Sequence, residues 1–595
     1  MVKTGIVFGE HISTENIKRR GSYLEDKKQK GMRFYLIPVI IGLLLLLVLS
    51  RLVFLQIVHG SYYRTLSDSN RIKTVIIHAP RGIIFDRNAK PLVFNVPGFR
   101  QSVSGKTKLI GRDEAISLLG KGGELEIDSL RDYPYKETTS HILGYLGQIS
   151  EDELNDPLFE DYRTGEVIGK MGIEAQYEKF LKGVDGKKLV EVDSFGKIIR
   201  DLGKTDPTPG KNIKITLDLE LQKRAYKAIE KVEKGAVVAT TPTGEILALV
   251  SLPSFDPNLF TQGSDYKAAS QSSYLTIDEI LTDSKSQPLL NRAITGRYPP
   301  GSTFKIVTAA AGLEEGVIDT SYTVEDTGIL RVGQFSFANW YFTDYGRTEG
   351  RVNVVKGIGR SNDIFFYKLA EKIGLDRLSG MARKFQIDKG LGIDLNGEAG
   401  GLVPTNEWKI KNIGEPWFLG DTYHIGIGQG YLLSTPLEVN SWAQTIAAGG
   451  ALYRPYILKD LGEKILNKNL LSQKTVNPIK QGMIESCSPG GVAYPLFEFK
   501  VRNENLKIDG ENFLEAPEST ASAKKSDIRI VTVACKTGTA QHGGEKTLPH
   551  SWITLFAPAY DPEIVITVLA EESGEGSQIA APIAKEILEE WFSRE

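Results

Sequence analysis

One apolar run in this chain is long enough to cross a lipid bilayer. It reads FYLIPVIIGLLLLLVLS from Phe34 to Ser50 and continues after Arg51 as LVFLQIV. At about 1.5 Å of rise per residue, roughly 20 helical residues span the hydrocarbon core, and Pro38 is tolerated near the start of such a helix. The favoured interpretation is an uncleaved transmembrane anchor at 34–58.

A secretory signal peptide is the alternative interpretation of this run, because a charged segment precedes it. The run is long, however, and no small-residue cleavage site follows it. Basic residues are frequent before the run and sparser just after it. Those before the run are Lys18, Arg19, Arg20, Lys27, Lys28, Lys30 and Arg33. This bias predicts a cytoplasmic tail at 1–33, a single pass through the cytoplasmic (inner) membrane, and an extracytoplasmic chain beyond His59.

The rest of the chain is too large for one hydrophobic core. At the usual one or two hundred residues per domain, 595 residues predict at least two sizeable folded units. Apolar residues make up 41% and charged residues 25%, as in an ordinary globular chain, and the formal net charge is -2. Without surplus positive charge, nucleic acid is not expected as a partner.

The two cysteines, Cys487 and Cys535, lack the spacing of a metal-binding pair. One disulfide would fit them, but two unpaired buried thiols are the favoured interpretation. The seven histidines are scattered, and the chain has no HExxH signature and no Gly-rich phosphate loop. No metal and no cofactor are therefore expected.

The sequence pattern changes near Asn212. From 59 to 211, short apolar runs alternate with turn residues around a helical pattern in TGEVIGKMGIEAQYEKFLKG, which predicts a mixed α/β scaffold or partner-binding domain. From 212 to 595, helical patterns bracket the strand pairs GAVVATTPTGEILALVSL and SWITLFAPAYDPEIVITVLA. These predict an α+β domain with an antiparallel sheet flanked by helices. The polar stretch near 459–528 is interpreted as an insertion or a mobile loop.

The motif Ser-x-x-Lys occurs at Ser194, Ser302 and Ser522, and only the second copy has a suitable context. On a helix, residues i and i+3 share a face, so a lysine amine can reach the serine hydroxyl. YPPGSTFKIVTAAAGLEEG predicts Ser302 in the first turn of an apolar helix, where free N–H groups favour developing negative charge. The alternative is that Ser302 only caps a core helix while Lys305 extends to solvent.

Two more motifs follow Ser302 in order. SND at 361–363 begins a helical pattern, although such clusters alone are ordinary helix starts. KTG at 536–538 follows the β-rich run IRIVTVAC, so we expect it on a strand that lines a cleft; the other copy, at 3–5, lies in the predicted tail. The order Ser-x-x-Lys, Ser-x-Asn/Asp, Lys-Thr-Gly is that of penicillin-binding proteins and serine β-lactamases.

With these motifs the chain resembles the class B penicillin-binding proteins over nearly all of its length beyond the anchor. HAPRGIIFDRNAKPL and GKMGIEAQYEKFLKGVDGKKLVEVDSFGK are similar to the family's membrane-proximal boxes. YPPGSTFK, NWYFTDYGRTEGRVNVVKGIGRSNDIFFYKLA and YHIGIGQGYLLSTPLEV are most similar to its elongation type, penicillin-binding protein 2. The resemblance implies a dimerisation-like pedestal domain at 59–211 and a serine β-lactamase-like transpeptidase domain at 212–595.

The resemblance also implies a reaction. Ser302 would attack the carbonyl of a D-alanyl-D-alanine stem peptide, D-alanine would leave, and the amine of a neighbouring stem would resolve the acyl-enzyme; β-lactams would acylate the same serine. Lys305 would be the general base, its amine kept neutral by burial beside Lys536, and Ser361 would shuttle the proton. Many relatives carry Asn where this chain has Asp363, and a carboxylate there favours protonated Lys305, which we interpret as a mark of the elongation type.

By the same resemblance, Thr537, Gly538 and Thr539 would bind the substrate, and the N–H groups of Ser302 and Thr539 would form the oxyanion hole. The implied partners are the lipid bilayer, stem peptides, a SEDS-family glycosyltransferase and other elongation-complex proteins. A β-lactamase or D,D-carboxypeptidase would use the same serine and lysine, but the anchor and the large first domain argue against it. The remaining alternative is a non-catalytic penicillin-binding scaffold.

Overall fold

The computed structural model describes residues 33–103, 106–120, 125–193, 197–262, 266–501, 529–543 and 547–594. By its internal contacts the chain divides into two compact units, one of residues 1–75 and 188–204 and one of residues 76–187 and 205–595. The boundary predicted near residue 212 falls inside the second unit. Its strand Ile213–Lys214 pairs in parallel with Ile84–Phe85, so the two parts of the chain on either side of that boundary share a sheet.

The first unit carries the long apolar helix near the N-terminus. An α-helix over Arg33–Val53 continues as a π-helical turn over Phe54–Val58, and a further helix spans Gly60–Arg71. Leu36–Val58 is unburied and has the length and composition of a membrane-spanning helix, as predicted for 34–58. A three-stranded sheet, most of which belongs to this unit, has the order Ile72–Ile77, Gly186–Val192, Ile198–Thr205.

The beginning of the second unit is a mixed α/β region. Its sheet contains Ile213–Lys214, Ile84–Phe85, Pro91–Val103, Lys106–Ile110 and Glu126–Asp132, and a smaller sheet pairs Leu146–Gln148 with Val167–Gly169. Its helices are Arg112–Gly120, Ser140–Leu143, Glu151–Leu154, Gly172–Gln176 and Glu178–Leu181. The one helix predicted around residues 164–183 is therefore a strand followed by two short helices, because Gly172 has a positive φ of 65° and Tyr177 leaves the helical conformation.

A buried ion cluster joins the two membrane-proximal sequence boxes. Arg81 of HAPRG donates to Glu174 at 2.9 Å and to Glu178 at 2.8 Å, both in the second box. Arg131 donates to the other oxygen of Glu174 at 2.7 Å, and Glu174 is fully buried. Since buried charges are tolerated only when paired and hydrogen-bonded, this cluster explains why the two boxes carry these residues.

A five-stranded antiparallel sheet forms the centre of the rest of the second unit. Its order is Ile246–Leu252, Gly235–Thr240, Ile564–Ala570, His550–Ala557, Ala534–Ala540. Helices Leu219–Ile229 and Ala580–Phe592 share one apolar core with the sheet. Helix Pro436–Ala447 packs on the strands as part of a second core. The predicted antiparallel sheet flanked by helices is confirmed.

The second core also contains the helices that carry two of the sequence motifs and the helices packed around them. These are Lys305–Glu314, Val354–Gly359, Asp363–Ile373, Leu375–Lys384, Leu419–Gly426 and Gln473–Ser486. Helix Asn406–Ile413 and the short helices Asn258–Thr261, Ile277–Thr282 and Trp340–Tyr345 lie elsewhere in the unit. Four strand pairs complete the described part, namely Val324–Asp326 with Gly350–Val352, Ile329–Val332 with Phe335–Ala338, Leu452–Tyr453 with Ile465–Asn467, and Lys500–Val501 with Arg529–Ile530.

The prediction of an irregular insertion near 459–528 is wrong for the part up to residue 501. Helix Gln473–Ser486 lies in this stretch and packs against helix Val354–Gly359 and strand Ala534–Ala540. Val476, Ile479 and Met483 are buried at helical spacing. The polar residues between them concealed that stripe in the overall composition, and residues 502–528 lie outside the described part.

The interpretation of the cysteines as unpaired thiols is also wrong. Cys487, just after helix Gln473–Ser486, forms a disulfide with Cys535 in strand Ala534–Ala540. Packing of the helix against the strand brings the two Cα atoms to 5.9 Å, a distance that a disulfide requires. Nothing in the separation of 48 residues along the sequence indicated this proximity.

Candidate active site

Ser302 lies at the start of a helix, as predicted. The 3₁₀ turn Gly301–Phe304 leads directly into the α-helix Lys305–Glu314, which we call the STFK helix. Ser302 is partly exposed, whereas Phe304 and Lys305 are fully buried. The first turn therefore presents the serine towards solvent and keeps the lysine inside the fold.

A glycine turn holds this first turn of the helix in place. The backbone N–H of Gly301 donates to the carbonyl of Gly428 at 2.8 Å, and Gly428 has a φ of 76°. A Cβ atom on Gly428 would lie 2.0 Å from the carbonyl oxygen of Gly301, so only glycine permits this approach. The neighbouring Gln429 donates its side-chain amide to the carbonyl of Thr539 at 3.3 Å. The sequence IGQG at 427–430 thus joins the first turn of the STFK helix to Thr539, the residue that follows the KTG motif. The sequence pattern marks IGQG only as a feature of the elongation type.

The strand Ala534–Ala540, here called the KTG strand, is the last strand of the five-stranded sheet and contacts the turn Gly301–Phe304. A Cβ on Gly538 would lie 3.1 Å from the carbonyl oxygen of Pro300, so glycine allows the strand to approach this segment closely. Thr537 is buried and Thr539 is exposed. In the described part of the chain, this strand pairs with a neighbour on one side only, strand His550–Ala557.

Two buried lysines converge on the hydroxyl of Ser361. The Nζ atom of Lys305 lies 3.2 Å from Ser361 Oγ, 2.8 Å from the carbonyl oxygen of Ser361 and 2.6 Å from Asp363 Oδ1. The Nζ atom of Lys536 donates to the same Oγ at 2.9 Å and to the carbonyl of Thr537 at 2.9 Å. Both lysines are fully buried, so this hydroxyl links the two amines.

The electrostatics of the cluster favour one neutral amine. Burial lowers the pKa of Lys305, although the carboxylate of Asp363 opposes this shift. Burial, and then the charge of Lys305, lower the pKa of Lys536 well below its ordinary value. One carboxylate cannot balance two buried ammonium groups, so the cluster is most stable with Lys305 paired to Asp363 and Lys536 uncharged.

The middle motif forms the turn between helix Val354–Gly359 and helix Asp363–Ile373, here called the SND helix. Ser361 has a φ of 53°, a left-handed conformation that is uncommon for a residue other than glycine. Asn362 caps the SND helix by accepting a hydrogen bond from the N–H of Phe365 at 2.9 Å. Such strained backbone persists where the surrounding structure holds it, often at functional sites.

The structure thus brings together four of the site residues that the three motifs predicted. Lys305, Ser361, Asp363 and Lys536 form one hydrogen-bonded cluster, and the turn bearing Ser302 contacts the KTG strand. Residues 194 and 522 of the other Ser-x-x-Lys copies, and the KTG at 3–5, lie outside the described residues. Within the described part of the chain, no group of three or more His, Cys, Asp or Glu is placed to hold a metal ion.

Residues 234–589 match the family described as penicillin binding protein transpeptidase domain, and residues 119–215 match the penicillin-binding protein dimerisation domain. The peptidoglycan D,D-transpeptidase MrdA of Acinetobacter baumannii is 31% identical, over 98% of this chain and 90% of that protein. MrdA of Escherichia coli K12 is 32% identical over 92% of both chains.

Solved structures are similar as well. Penicillin-binding protein PBP2 of Helicobacter pylori, in complex with MreC, superposes with a TM-score of 0.69 at 28% identity, covering 87% of this chain and 98% of that one. A second similar chain comes from the structure of a peptidoglycan synthase complex, described as the structural coordination of polymerization and crosslinking. It superposes with a TM-score of 0.68 at 27% identity. It covers 94% of this chain and 98% of that one.

Proposed function

Because the chain belongs to the class B penicillin-binding proteins, as a peptidoglycan D,D-transpeptidase of the PBP2 (MrdA) type, we propose that Ser302 is its acylated nucleophile. The observation that carries the proposal is the Ser361 hydroxyl, which lies within hydrogen-bonding distance of two buried amines. This hydroxyl and the amine of Lys305 are the proton-transfer groups that a serine acyltransferase needs beside its nucleophile.

The first step is acylation of Ser302 by the donor stem peptide. The hydroxyl of Ser302 attacks the carbonyl of the penultimate D-alanine and loses its proton to the neutral amine of Lys305. For this, Lys305 first passes its own proton through Ser361 to the uncharged amine of Lys536. Lys536 is the weaker base because its pKa is depressed, so only a minority of molecules hold the proton there at any moment. When the peptide bond breaks, Ser361 gives its proton to the departing D-alanine amine and regains one from the protonated Lys305. The amine of a neighbouring stem then attacks the acyl-enzyme in the reverse sense.

Substrate binding uses the edge of the KTG strand opposite strand His550–Ala557. An extended donor peptide adds to this edge as a further strand, with its terminal carboxylate at Thr537, Gly538 and Thr539. The backbone N–H groups of Ser302 and Thr539 form the oxyanion hole, because the first turn of a helix leaves N–H groups without intrahelical partners.

The same proposal extends to the domains and their setting. The helix at 34–58 anchors the chain in the cytoplasmic membrane with its N-terminus inside, residues 59–211 form the pedestal and residues 212–595 the transpeptidase domain. Since PBP2 of Helicobacter pylori is seen with MreC and a similar chain belongs to a peptidoglycan synthase complex, this chain acts with such an elongation complex. Glycan polymerisation falls to a SEDS-family partner.

The test is covalent labelling of the purified full chain, in detergent, with a fluorescent penicillin. We expect one stable adduct, located at Ser302 by mass spectrometry and absent in Ser302→Ala. Ser194→Ala and Ser522→Ala remove the serines of the other two Ser-x-x-Lys copies and serve as matched controls that keep the label. Labelling that survives Ser302→Ala would refute the proposal, and rapid release of the label would indicate a hydrolase instead.

A further inference from the structure

A buried carboxylate outside the three motifs accepts hydrogen bonds from backbone and side-chain donors next to the SND turn. Asp326, at the end of strand Val324–Asp326, is 3% exposed. Its Oδ1 accepts from the N–H of Gly328 at 2.8 Å, and its Oδ2 accepts from the N–H of Glu349 at 2.9 Å. The same Oδ2 accepts from the side-chain amides of Asn339 at 3.0 Å and Asn362 at 2.9 Å. All of these donors are neutral.

The two asparagines pass this arrangement on to the SND helix. An amide side chain donates at one end and accepts at the other, so binding of Nδ2 by Asp326 decides where each Oδ1 points. The Oδ1 of Asn339 accepts from the backbone N–H of Asp363 at 3.1 Å. The Oδ1 of Asn362 caps the helix at the N–H of Phe365. Asp326 therefore fixes the first turn of the SND helix from two directions.

The carboxylate of Asp363 is held by the same segment. Its Oδ2 accepts from the backbone N–H of Trp340, the residue after Asn339, at 3.1 Å. This contact leaves Oδ1 to receive the amine of Lys305 at 2.6 Å. Residues 339 and 340 thus hold both the backbone and the side chain of the group that pairs with the buried lysine.

We propose that Asp326 and Asn339 are positioning residues of the transpeptidase reaction, which aim the Asp363 carboxylate at Lys305 and so set the pH range in which that amine can accept the proton of Ser302. The proposal rests on the roles assigned above to Ser302 and Lys305. It gives a function to the segment 326–349, which contains none of the three motifs.

The charged groups that face Lys305 determine the sign of the effect. Asp363 faces it from the SND helix and Lys536 from the KTG strand, and the ring of Phe366 lies 5.5 Å from its Nζ. Burial lowers the pKa of Lys305, and Asp363 is the group that raises it. Loosening Asp363 therefore leaves burial and Lys536 unopposed, and the amine loses its proton at a lower pH.

The experiment measures the acylation rate constant of the full chain with a fluorescent penicillin from about pH 6 to about pH 10. Asp326→Asn keeps the shape of the side chain but replaces one acceptor oxygen by a donor, and Asn339→Ala removes the link to Asp363. Both variants are expected to acylate roughly tenfold or more slowly at their optimum, with the alkaline rise of the rate moved to lower pH.

The matched control is Asp394→Asn. Asp394 is also buried and also accepts backbone N–H groups, from Ile457 at 2.7 Å and Leu458 at 2.8 Å, but it contacts none of the motif residues. This variant is expected to lower the melting temperature without moving the pH dependence of acylation. Melting curves of every variant identify the temperature at which each is still folded.

The inference would be overturned if Asp326→Asn acylated more slowly but with the pH dependence of the wild type. In that case the slower rate would only follow the lost stability, as in Asp394→Asn. Wild-type rates in both variants would overturn it too. Should Asp326→Asn fail to fold, Asn339→Ala decides, since Asp326 then retains its other three donors. A wild-type chain that takes no label at Ser302 would instead refute the proposed function, and the inference with it.

Discussion

At the scale of single residues, the charge balance around Lys305 is the decisive feature of the site. Asp363 is the carboxylate that faces two fully buried amines, and it pairs with only one of them. A second carboxylate would hold both amines protonated and leave no base, whereas none would leave a buried charge unpaired. With one carboxylate for two amines, one amine stays protonated and the other stays neutral, so that it can accept a proton.

Asp363→Asn removes this balance, and its effect on stability should depend on pH. Burial already lowers the pKa of Lys305 in the folded state, and loss of Asp363 lowers it further, whereas the unfolded value stays near 10.4. The unfolded chain then binds more protons than the folded one, so stability rises with pH towards that value. The loss in melting temperature caused by Asp363→Asn should be larger at about pH 7 than at about pH 9.5. An equal loss at both pH values would contradict this assignment of charge.

At the scale of elements, the IGQG turn contacts the residue before Ser302 through backbone atoms alone, because Gly428 has no side chain. Gly428 and Gly430 have nearly the same φ, 76° and 74°. They differ in surroundings, because a Cβ on Gly428 would meet the carbonyl of Gly301 at 2.0 Å, whereas one on Gly430 would meet the Cβ of His424 at 3.2 Å. Alanine substitutions at the two positions therefore distinguish two costs in stability. At Gly430 the substitution mainly strains the backbone, whereas at Gly428 it also displaces the first turn of the STFK helix.

Gly430→Ala is expected to cost about 1 to 2 kcal/mol, the ordinary penalty of a left-handed alanine. Gly428→Ala adds the displacement of Gly301, so it should lose more stability and should also slow penicillin acylation by roughly tenfold or more. Chemical denaturation and acylation rates measured on both variants check this expectation. Equal acylation rates in the two variants would show that the turn does not position Ser302.

A second element-scale feature is the ion cluster that joins the two membrane-proximal boxes. Burial of Glu174 tends to raise its pKa, but Arg131 and Arg81 outweigh burial, and the pKa is lowered. Glu174 therefore contributes stability that is present above its unfolded pKa of about 4.3 and is lost as the pH falls through the lower folded value. Glu174→Gln should cost roughly 3 to 5 kcal/mol at pH about 7, and the difference from wild type should shrink in acid.

Urea unfolding at two pH values measures the effect of Glu174→Gln. The exposed Glu151 supplies the control, because Glu151→Gln removes a carboxylate without unpairing a buried arginine. A difference from wild type that grows as the pH falls would show that the cluster does not stabilise the folded state through the ionised Glu174.

At the scale of the whole molecule, the apolar helix Leu36–Val58 and the cluster of Lys305, Ser361, Asp363 and Lys536 belong to different compact units. Leu36–Val58 is unburied, whereas the lysines of the cluster are enclosed by the second unit. Removal of residues 1–58 should therefore transfer the protein from the membrane fraction to the soluble fraction, with penicillin acylation at Ser302 retained. Fractionation followed by labelling measures both, and a truncated chain that stayed with membranes would point to a second membrane-binding surface.

The sequence supported much of this organisation because its strongest patterns are local. The apolar run, the strand pairs around residues 235–252 and 550–570, and the context of Ser302 each depend on neighbours along the chain, and all were predicted. The disulfide, helix Gln473–Ser486 and the partners of Asp326 depend instead on contacts between distant segments. Asn339 looks like any other loop residue in the sequence, and only the fold places its amide between Asp326 and the SND helix.

The bond between Cys487 and Cys535 also makes part of the chain a closed covalent ring. A protease that cut anywhere between these two cysteines would open the ring without dividing the molecule. The N-terminal fragment would contain Ser302 and Lys305, and the C-terminal fragment would contain Lys536. The disulfide would keep the two fragments joined as one covalent molecule. Such a nicked chain would run as a single band on a gel without reductant and as two bands with it, and it would still contain every residue of the proposed catalytic centre.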